Sequence, residues 1–239
     1  MHRFYAPRDK FAADTVTLAD DEARHLRDVL RLKAGERIYV FDGEGGEFVC
    51  EIVEAGRRSA TVRLVERVAP AAPESPLDLT LAAAILKGEK FDLVVQKAVE
   101  LGIRRIVPLV TRRGDVKLKG STGRVERWRR IALEAAKQSG RATLTAVDEP
   151  TDLQPALDDD RAAARLLFSE RGGSPLDSVT GSGKMIAFIG PEGGWDDSEL
   201  DAAVAAGVRI VTLGGRILRA ETASIAISAL LQNRFGDLR

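Results

Sequence analysis

Two apolar runs in the second half of the chain each end in a glycine-rich turn, and this pattern restricts the possible folds of the 239 residues more than any other. The run 185–189 leads into Gly-Pro-Glu-Gly-Gly at 190–194, and the run 209–213 leads into Gly-Gly at 214–215. In an open sheet of parallel strands, such turns meet at the carboxyl edge, where ligands bind. Glycine lets the backbone approach a ligand closely because it has no Cβ atom.

The segment 77–239 alternates apolar runs with helical patterns, which predicts an α/β fold with a mostly parallel sheet. The predicted strands are 79–86, 103–110, 144–147, 165–168, 185–189 and 209–213. The predicted helices are 89–101, 124–139, 198–206 and 222–235. Gly102 and Gly207 stand at C-cap positions, and residues 196–199 are spaced like a capping box.

The amino-terminal residues 1–70 carry a different pattern, which predicts a small strand-rich barrel. Segments 38–42, 47–53 and 60–65 alternate apolar and polar residues, as half-buried strands do. A helix precedes them, with Asp20 or Asp21 as its cap. Its predicted apolar stripe is Ala23, Leu26 and Leu30. Three prolines follow the strands, so we predict a linker at 71–76 between two domains, 1–70 and 77–239.

Composition limits the remaining classes of protein. The sequence has no apolar run long enough to cross a bilayer and no signal-peptide pattern, so we expect a cytoplasmic protein without a membrane partner. One cysteine, Cys50, excludes an internal disulfide, and with only His2 and His25 we expect no metal site.

A net charge of zero hides a strong asymmetry along the chain. Residues 87–141 contain 15 Lys and Arg against 6 Asp and Glu, whereas residues 142–202 contain 4 against 13. The basic segment suits a phosphate-bearing partner, and solvated helix faces are the alternative interpretation.

The two glycine turns also carry a family resemblance. Gly-Pro-Glu-Gly-Gly at 190–194 and Leu-Gly-x-Arg-Ile-Leu-Arg-x-Glu-Thr-Ala at 213–223 resemble the cofactor loops of SPOUT methyltransferases, in particular those of the RsmE family. Further similar segments are 24–31, 41–43, 87–90, 96–102 and 134–141. The resemblance implies S-adenosylmethionine as cofactor and N3 of a uridine in 16S ribosomal RNA of the small subunit as methyl acceptor. It also implies a trefoil knot, a PUA-like RNA-binding domain at 1–70, and a homodimer with the cofactor loops and last helix near the interface.

Carried over position by position, the resemblance implies the cofactor-binding residues. They are Ile189, Gly190, Pro191, Glu192, Gly193, Gly194, Leu213, Gly214, Ile217, Leu218, Thr222 and Ala223. The chain departs from many relatives at Gly215, where they have proline, and at Ala220, where they have threonine. A glycine at 215 makes the free loop more flexible, which weakens binding without abolishing it.

The chemistry of uracil N3 suggests two catalytic residues. The imide must lose its proton, and the negative charge then spreads onto both carbonyl oxygens. A guanidinium beside those oxygens stabilises the anion, and Arg219 is the candidate. The alternative for Arg219 is a salt bridge to Glu221 or Glu192 that supports the loop. Glu192 could orient Arg219, contact cofactor hydroxyls or act as general base.

Basic residues outside the cofactor loops are candidates for RNA binding. Arg24, Arg27 and Arg31 are spaced to share one face of the first helix, although Asp28 could pair with Arg24. The full set is Arg8, Arg24, Arg27, Arg31, Arg112, Arg113, Lys117 and Arg141. Trp128 and Trp195 could stack on a base, but the helical spacing of Trp128 favours a core position.

Two other functions compete with uridine N3 methylation. A SPOUT methyltransferase acting on a ribose 2′-hydroxyl of ribosomal or transfer RNA would share the cofactor loops. A non-catalytic RNA-binding or ribosome-assembly protein would keep the fold and bind cofactor without transferring the methyl group. A nicotinamide-dependent dehydrogenase is disfavoured because no dinucleotide fingerprint is present.

Overall fold

A computed structural model describes residues 1–114, 116, 122–159, 162, 164–181 and 183–238. The chain forms two compact units. The first comprises Met1–Glu74 with Ala136–Leu144, and the second comprises Ser75–Ala135 with Thr145–Arg239. Among the described residues, no helix is both long enough and apolar enough to span a bilayer.

The first unit is a five-stranded, barrel-like mixed sheet with the strand order β1-β3-β4-β5-β2. Strands β1 and β3 are parallel, and the other pairs are antiparallel. The elements in chain order are β1 (Arg3–Tyr5), a 3-10 turn (Arg8–Lys10), β2 (Thr15–Leu18), α1 (Asp20–Arg24), a π-helical turn (His25–Val29), β3 (Arg37–Phe41), β4 (Glu47–Ala55) and β5 (Ala60–Val68). The three strands predicted from alternation are confirmed. The two short strands β1 and β2 carry too few residues for a periodic signal.

The first helix differs from its prediction at both ends. Its N-cap is Ala19, which has no side chain able to cap, so the prediction that Asp20 or Asp21 caps the helix is wrong. After Arg24 the chain continues as a π-helical turn, and Arg31 lies beyond the helix with a left-handed φ of 56°. The apolar stripe is confirmed, because Ala23 and Leu26 are fully buried and Leu30 packs against the same core.

Residues 136–144 belong to the first unit through a set of polar contacts. The Arg3 guanidinium donates to the carbonyl oxygens of Ala136 (3.0 Å) and Arg141 (2.9 Å) and to Glu47 Oε1 (2.6 Å). Lys137 forms an ion pair with the carboxylate of Glu22 at 2.8 Å. Because these groups are buried or nearly so, the contacts fix the end of a helix that begins in the second unit.

The second unit contains a parallel sheet with the strand order β11-β13-β10-β12-β6-β7-β8, and β9 pairs with β7. Its elements are β6 (Asp78–Ala84), α2 (Lys90–Glu100), β7 (Arg105–Val110), α3 (Thr122–Ser139), β8 (Ala146–Val147), β9 (Thr151–Asp152), α4 (Leu153–Leu157), β10 (Ala164–Phe168), β11 (Ser174–Pro175), a 3-10 turn (Leu176–Ser178), β12 (Lys184–Ile189), α5 (Asp197–Ala205), β13 (Arg209–Thr212) and α6 (Ala220–Phe235). The predicted α/β fold is therefore confirmed, and all four predicted helices are present.

Local signals set the helix ends of this unit. Asp196 accepts from the backbone of α5, while the side chain of Glu199 accepts from the Asp196 N–H at 2.9 Å, which confirms the predicted capping box. Gly102 and Gly207 follow α2 and α5 with φ of 77° and 75°, as glycine C-caps do. The central strands are buried on both faces, as expected for a parallel sheet covered by helices.

Candidate active site

Three adjacent strands bring their carboxyl ends to one level at the edge of the large sheet. Phe168 at the end of β10 pairs with Ile189 at the end of β12 and with Val211 near the end of β13. The loops that follow these strands therefore open side by side, and they enclose a cavity of about 300 Å³. The cavity is lined by the segments 168–170, 189–195 and 211–218, and by Ala220, Ala223 and Ile227 of α6.

The loop after β12 is shaped around the indole of Trp195. Trp195 is buried and its Nε1 donates to the carbonyl oxygen of Phe168 at 2.9 Å. A Cβ atom at position 190 would lie 3.0 Å from the indole ring, so only glycine fits there without displacement. Because the indole is buried, Trp195 is not available to stack on a base, which was one of the roles open to it from the sequence. Trp128 is also buried, as its helical spacing predicts.

The loop after β13 follows a path that depends on glycine. Gly214 and Gly215 have φ of 74° and 76°, in the left-handed region that side-chain-bearing residues rarely adopt. A proline at position 215 could not take this conformation, because its ring holds φ near −65°. The loop is open to solvent, and Ile217 is 86% exposed.

The cavity combines apolar walls with a few charged groups. Ile189, Leu218 and Ile227 contribute apolar surface, while Glu170 and Glu192 contribute carboxylates and Arg216 contributes a guanidinium. Ligand pockets generally bind a flat apolar group in such a slot and use the few polar groups to fix its orientation. The cavity can therefore hold an aromatic ring attached to groups of both charges.

The structure brings together most of the residues predicted to bind cofactor. Eleven of the twelve line the cavity, and Thr222 does not, because it lies on the exposed side of α6. Sequence reasoning missed a group that also lines it: Phe168, Ser169, Glu170, Thr212 and Arg216. Phe168 ends β10 and the next two residues follow it, and only the order of strands in the sheet could have placed that loop here.

The two predicted catalytic residues lie in different surroundings. Glu192 lines the cavity, and its carboxylate accepts a hydrogen bond from Lys90 Nζ at the start of α2. Lys90 Nζ also lies 3.9 Å from Glu221 Oε1. Arg219 is the exposed N-cap residue of α6, does not line the cavity, and forms no ion pair within the described part of the chain. Lys90, not Arg219, is therefore the cation that pairs with Glu192 and Glu221.

A segment after β7 packs beside the glycine turn. The guanidinium of Arg113 lies 3.4 Å from the carboxylate of Asp196, and the backbone N–H of Arg112 donates to Glu199 Oε1 at 2.9 Å. Hydrogen bonds from Ser198, assisted by the positive charges of Arg113 and Arg112, hold the pKa of Asp196 below its usual value. Arg112 and Arg113 are exposed, while Lys117 lies outside the described residues.

The arginines of the first unit that are predicted to bind RNA differ in their exposure and in their acidic partners. Arg8 is exposed, with its guanidinium 3.4 Å from Asp42. Arg24 pairs with Asp21 at 2.5 Å and not with Asp28. Arg31 is exposed but, as it lies beyond the helix, does not share a helix face with Arg24.

Two further arginines of this set are held by acidic partners. Arg27 forms two hydrogen bonds of 2.7 Å to the carboxylate of Asp28. Arg141 is only 4% exposed and forms an ion pair with Glu74 at 2.8 Å. This burial contradicts the predicted phosphate contact of Arg141, whose charge stabilises the first unit instead.

Comparisons with known proteins agree with this architecture. The family profile described as "RNA methyltransferase domain" matches residues 73–232, and the one described as "RNA methyltransferase PUA domain" matches residues 18–65. The Ribosomal RNA small subunit methyltransferase E of Synechocystis sp. is 35% identical over 97% of this chain and 78% of that protein.

Two solved structures resemble the whole chain. A Ribosomal RNA small subunit methyltransferase E from Neisseria gonorrhoeae, bound to S-adenosyl methionine, has a TM-score of 0.92 with 36% identity and covers 100% of both chains. A protein from Legionella pneumophila in complex with the bound cofactor SAM has a TM-score of 0.91 with 30% identity, over 99% of this chain and 98% of that chain. The chain therefore belongs to the RNA methyltransferase family, in the group of ribosomal RNA small subunit methyltransferase E.

Proposed function

We propose that this chain transfers a methyl group from S-adenosylmethionine to N3 of a uridine in 16S ribosomal RNA of the small subunit. The observation that carries the proposal is the cavity that the loops after β10, β12 and β13 enclose at the carboxyl edge of the sheet. The Synechocystis relative is a ribosomal RNA small subunit methyltransferase, and the Neisseria gonorrhoeae structure, which matches this chain over its full length, contains S-adenosyl methionine.

The lining of the cavity fits this cofactor chemically. Apolar side chains at Ile189, Leu218 and Ile227 provide a slot for the adenine ring. S-adenosylmethionine carries a sulfonium, an ammonium and a carboxylate, and the cavity supplies the carboxylates of Glu170 and Glu192 and the guanidinium of Arg216. When bound there, the cofactor supplies an electrophilic methyl group.

The protein's own residues then stabilise the acceptor. Arg219 stands at the start of α6, next to the cavity residues Leu218 and Ala220, and its guanidinium is free of acidic partners within the described part of the chain. It can therefore neutralise the charge that forms on the uracil carbonyl oxygens after loss of the N3 proton. Glu192 stays at the cavity rim because Lys90 pairs with it, and in that position it contacts a cofactor hydroxyl or accepts the proton.

The remaining parts of the proposal concern the rest of the molecule. Residues 1–70 form the RNA-binding domain, residues 71–76 a linker, and residues 77–239 the methyltransferase domain with its trefoil knot. Basic residues of both domains contact RNA phosphates. Such contacts fix the position of the protein along the RNA but do not select a nucleotide sequence. The residues are Arg8, Arg24, Arg27 and Arg31 of the first domain and Arg112, Arg113 and Lys117 of the second. Because the substrate is ribosomal RNA, the proposal implies a cytoplasmic protein.

A homodimer is part of the proposal, and the surface of α6 supports it. This helix buries Ser224, Ser228 and Gln232, whose side-chain oxygens are hydrogen-bonded inside the unit. The same buried side carries Ile227 and Leu231, whereas the apolar residues on the other side, Ile225, Ala226, Ala229 and Leu230, are only partly buried or exposed. A helix that turns apolar residues outward needs a partner for them, and a second copy of α6 is the partner that we propose.

The test uses radiolabelled S-adenosylmethionine and small ribosomal subunits from cells that lack this protein, with nucleoside mass spectrometry of the product. Label in 3-methyluridine is the expected outcome. Label on a ribose would support the 2′-hydroxyl methyltransferase instead. Cofactor binding without transfer to subunits or to naked RNA would support the non-catalytic RNA-binding protein.

A further inference from the structure

A second cavity opens at the carboxyl edge of the large sheet. Its volume is about 400 Å³, and it lies between the loop after β6, Val116 after β7, and the first turns of α3. The charged residues among its described lining are Lys87, Glu89, Asp92, Arg124 and Arg127. None of the functions assigned above uses this cavity.

The two cavities are neighbours because of the strand order. Strand β6 lies between β12 and β7, with Ala83 paired to Ile189 and Ala84 paired to Leu109. The loops after β12, β6 and β7 therefore begin at the same level. Lys90 follows directly after the loop of the second cavity and pairs with Glu192 on the rim of the cofactor cavity. The ion pair between Lys90 and Glu192 thus links the start of α2 to the rim of the cofactor cavity.

The charges of the second cavity favour an anion. Arg127 is engaged by Asp92 at 2.5 Å and by Glu89 at 3.5 Å. Arg124, almost one turn earlier on α3, is exposed and forms no ion pair with any residue that the structure describes. Lys87 adds a third cation, so the part of the lining that the structure describes has three cations and two carboxylates. Arg124 is therefore the cation that an incoming anion can reach without breaking a salt bridge.

We propose that this second cavity receives the RNA strand next to the methylated uridine, with Arg124 and Lys87 binding a backbone phosphate. This inference rests on the proposed function. The carboxylate of the cofactor's methionine group is the other possible source of an anion at this place. The RNA is favoured because the cofactor cavity has its own guanidinium, Arg216, and the pair of Lys90 and Glu192 stands between the two cavities.

The experiment compares Arg124→Ala and Arg124→Glu with the unmodified protein on the same small ribosomal subunits. Three quantities are measured: kcat/KM for methyl transfer, the Kd for subunits by filter binding, and the Kd for S-adenosylmethionine by calorimetry. We expect kcat/KM and subunit affinity to fall about tenfold for the alanine variant, as for loss of a charged hydrogen bond. Reversal of the charge should cost about a hundredfold, because it adds repulsion. The affinity for S-adenosylmethionine should not change.

The salt dependence gives a second readout. Loss of one phosphate contact lowers the slope of log affinity against log salt concentration by about one. Arg130→Ala is the matched control, because Arg130 is exposed on the same helix but does not line the cavity. It should leave the activity and the slope nearly unchanged. Because Arg124 and Arg130 are both exposed, we expect the variants to unfold at the same denaturant concentration as the unmodified protein.

Either of two outcomes would overturn the inference. Equal effects of Arg124→Ala and Arg130→Ala would mean that the cavity has no special role in RNA binding. A parallel loss of S-adenosylmethionine affinity would assign the cavity to the cofactor's carboxylate. If the unmodified protein transfers no methyl group at all, the proposed function fails, while the filter-binding comparison still tests the cavity.

Discussion

Two arginines of the loop after β13 differ in their relation to the cofactor cavity, and this difference leads to a prediction. Arg216 lines the cavity, whereas Arg219 does not. We expect Arg219→Ala to lower single-turnover methyl transfer about 10²–10³-fold, as loss of one group that stabilises a developing anion does. Its Kd for S-adenosylmethionine should stay unchanged. Calorimetry and rapid-quench kinetics measure the two quantities separately.

Arg216→Ala is the matched comparison for this prediction. Because Arg216 contacts the cavity directly, its removal should raise the Kd for S-adenosylmethionine. Unchanged turnover in Arg219→Ala, with Arg216→Ala carrying the kinetic defect, would transfer the proposed catalytic role from Arg219 to Arg216.

At the level of single residues, sequence reasoning worked where a position is fixed by local chemistry and failed where distant partners decide it. The glycines at 190 and 194 were correctly placed at the cavity because a turn after an apolar run is a local signal. Arg141 was predicted to bind RNA from its charge alone. Its partner Glu74 is 67 residues away, and nothing near Arg141 in the sequence reveals the ion pair.

In the turn after β12, Trp195 packs against Gly190, so adding one methyl group at position 190 should lower the stability of the protein. In Gly190→Ala, the new Cβ would lie 3.0 Å from the indole, which its hydrogen bond to Phe168 holds in place. We expect a loss of about 1–3 kcal/mol in the free energy of unfolding, as for overpacked sites. Cofactor affinity should also fall, because the same turn lines the cavity. Urea unfolding and calorimetry measure the two effects.

Gly123→Ala is the control for the added methyl group. Gly123 lies in α3, has no atom within 4 Å of a built Cβ, and does not have a left-handed φ. Alanine there should be neutral or stabilise by up to about 1 kcal/mol. If Gly190→Ala unfolds at the same urea concentration as this control, the indole moves freely and does not shape the turn.

The helices and strands were more predictable than their arrangement. Each of the four helices predicted for the second unit has a periodic apolar face or a local end signal, such as the capping box at Asp196, whereas the short helix α4 has neither and is not predicted. The π-helical turn after Arg24 has no such signal, so the predicted shared face of three arginines was wrong. The place of β10 between β12 and β13 depends on the whole sheet. For that reason Glu170, which follows β10, was missed at the site.

At the level of the whole molecule, the chain is not divided at a single point. Residues Ala136–Leu144 leave the second unit and pack in the first, where Arg3 and Glu22 hold them. The change of pattern near the prolines at 70–76 is visible in the sequence. The return of residues 136–144 to the first unit has no such signal in the sequence. The trefoil knot stays a prediction from the family resemblance.

The outward apolar surface of α6 gives a prediction about assembly. Leu230 is 42% exposed on this helix, and Ile225 and Ala229 lie beside it on the same outward side. If a second copy covers this surface, sedimentation equilibrium should give twice the 25.8 kDa of one chain. Leu230→Glu should shift the mass to that of one chain, because burying an unpaired carboxylate at an interface is strongly unfavourable.

Val204→Glu serves as the control for the dimer, since Val204 is 61% exposed but lies on α5. This variant should keep the doubled mass, which would show that the position and not the added charge breaks the dimer.

The cofactor loops provide a further check, because Ile217 and Leu213 are also exposed apolar residues. If they lie near the interface, Leu230→Glu should weaken S-adenosylmethionine binding as well. A single-chain mass for the unmodified protein at micromolar concentration would contradict the dimer and leave the outward apolar surface of α6 without a partner.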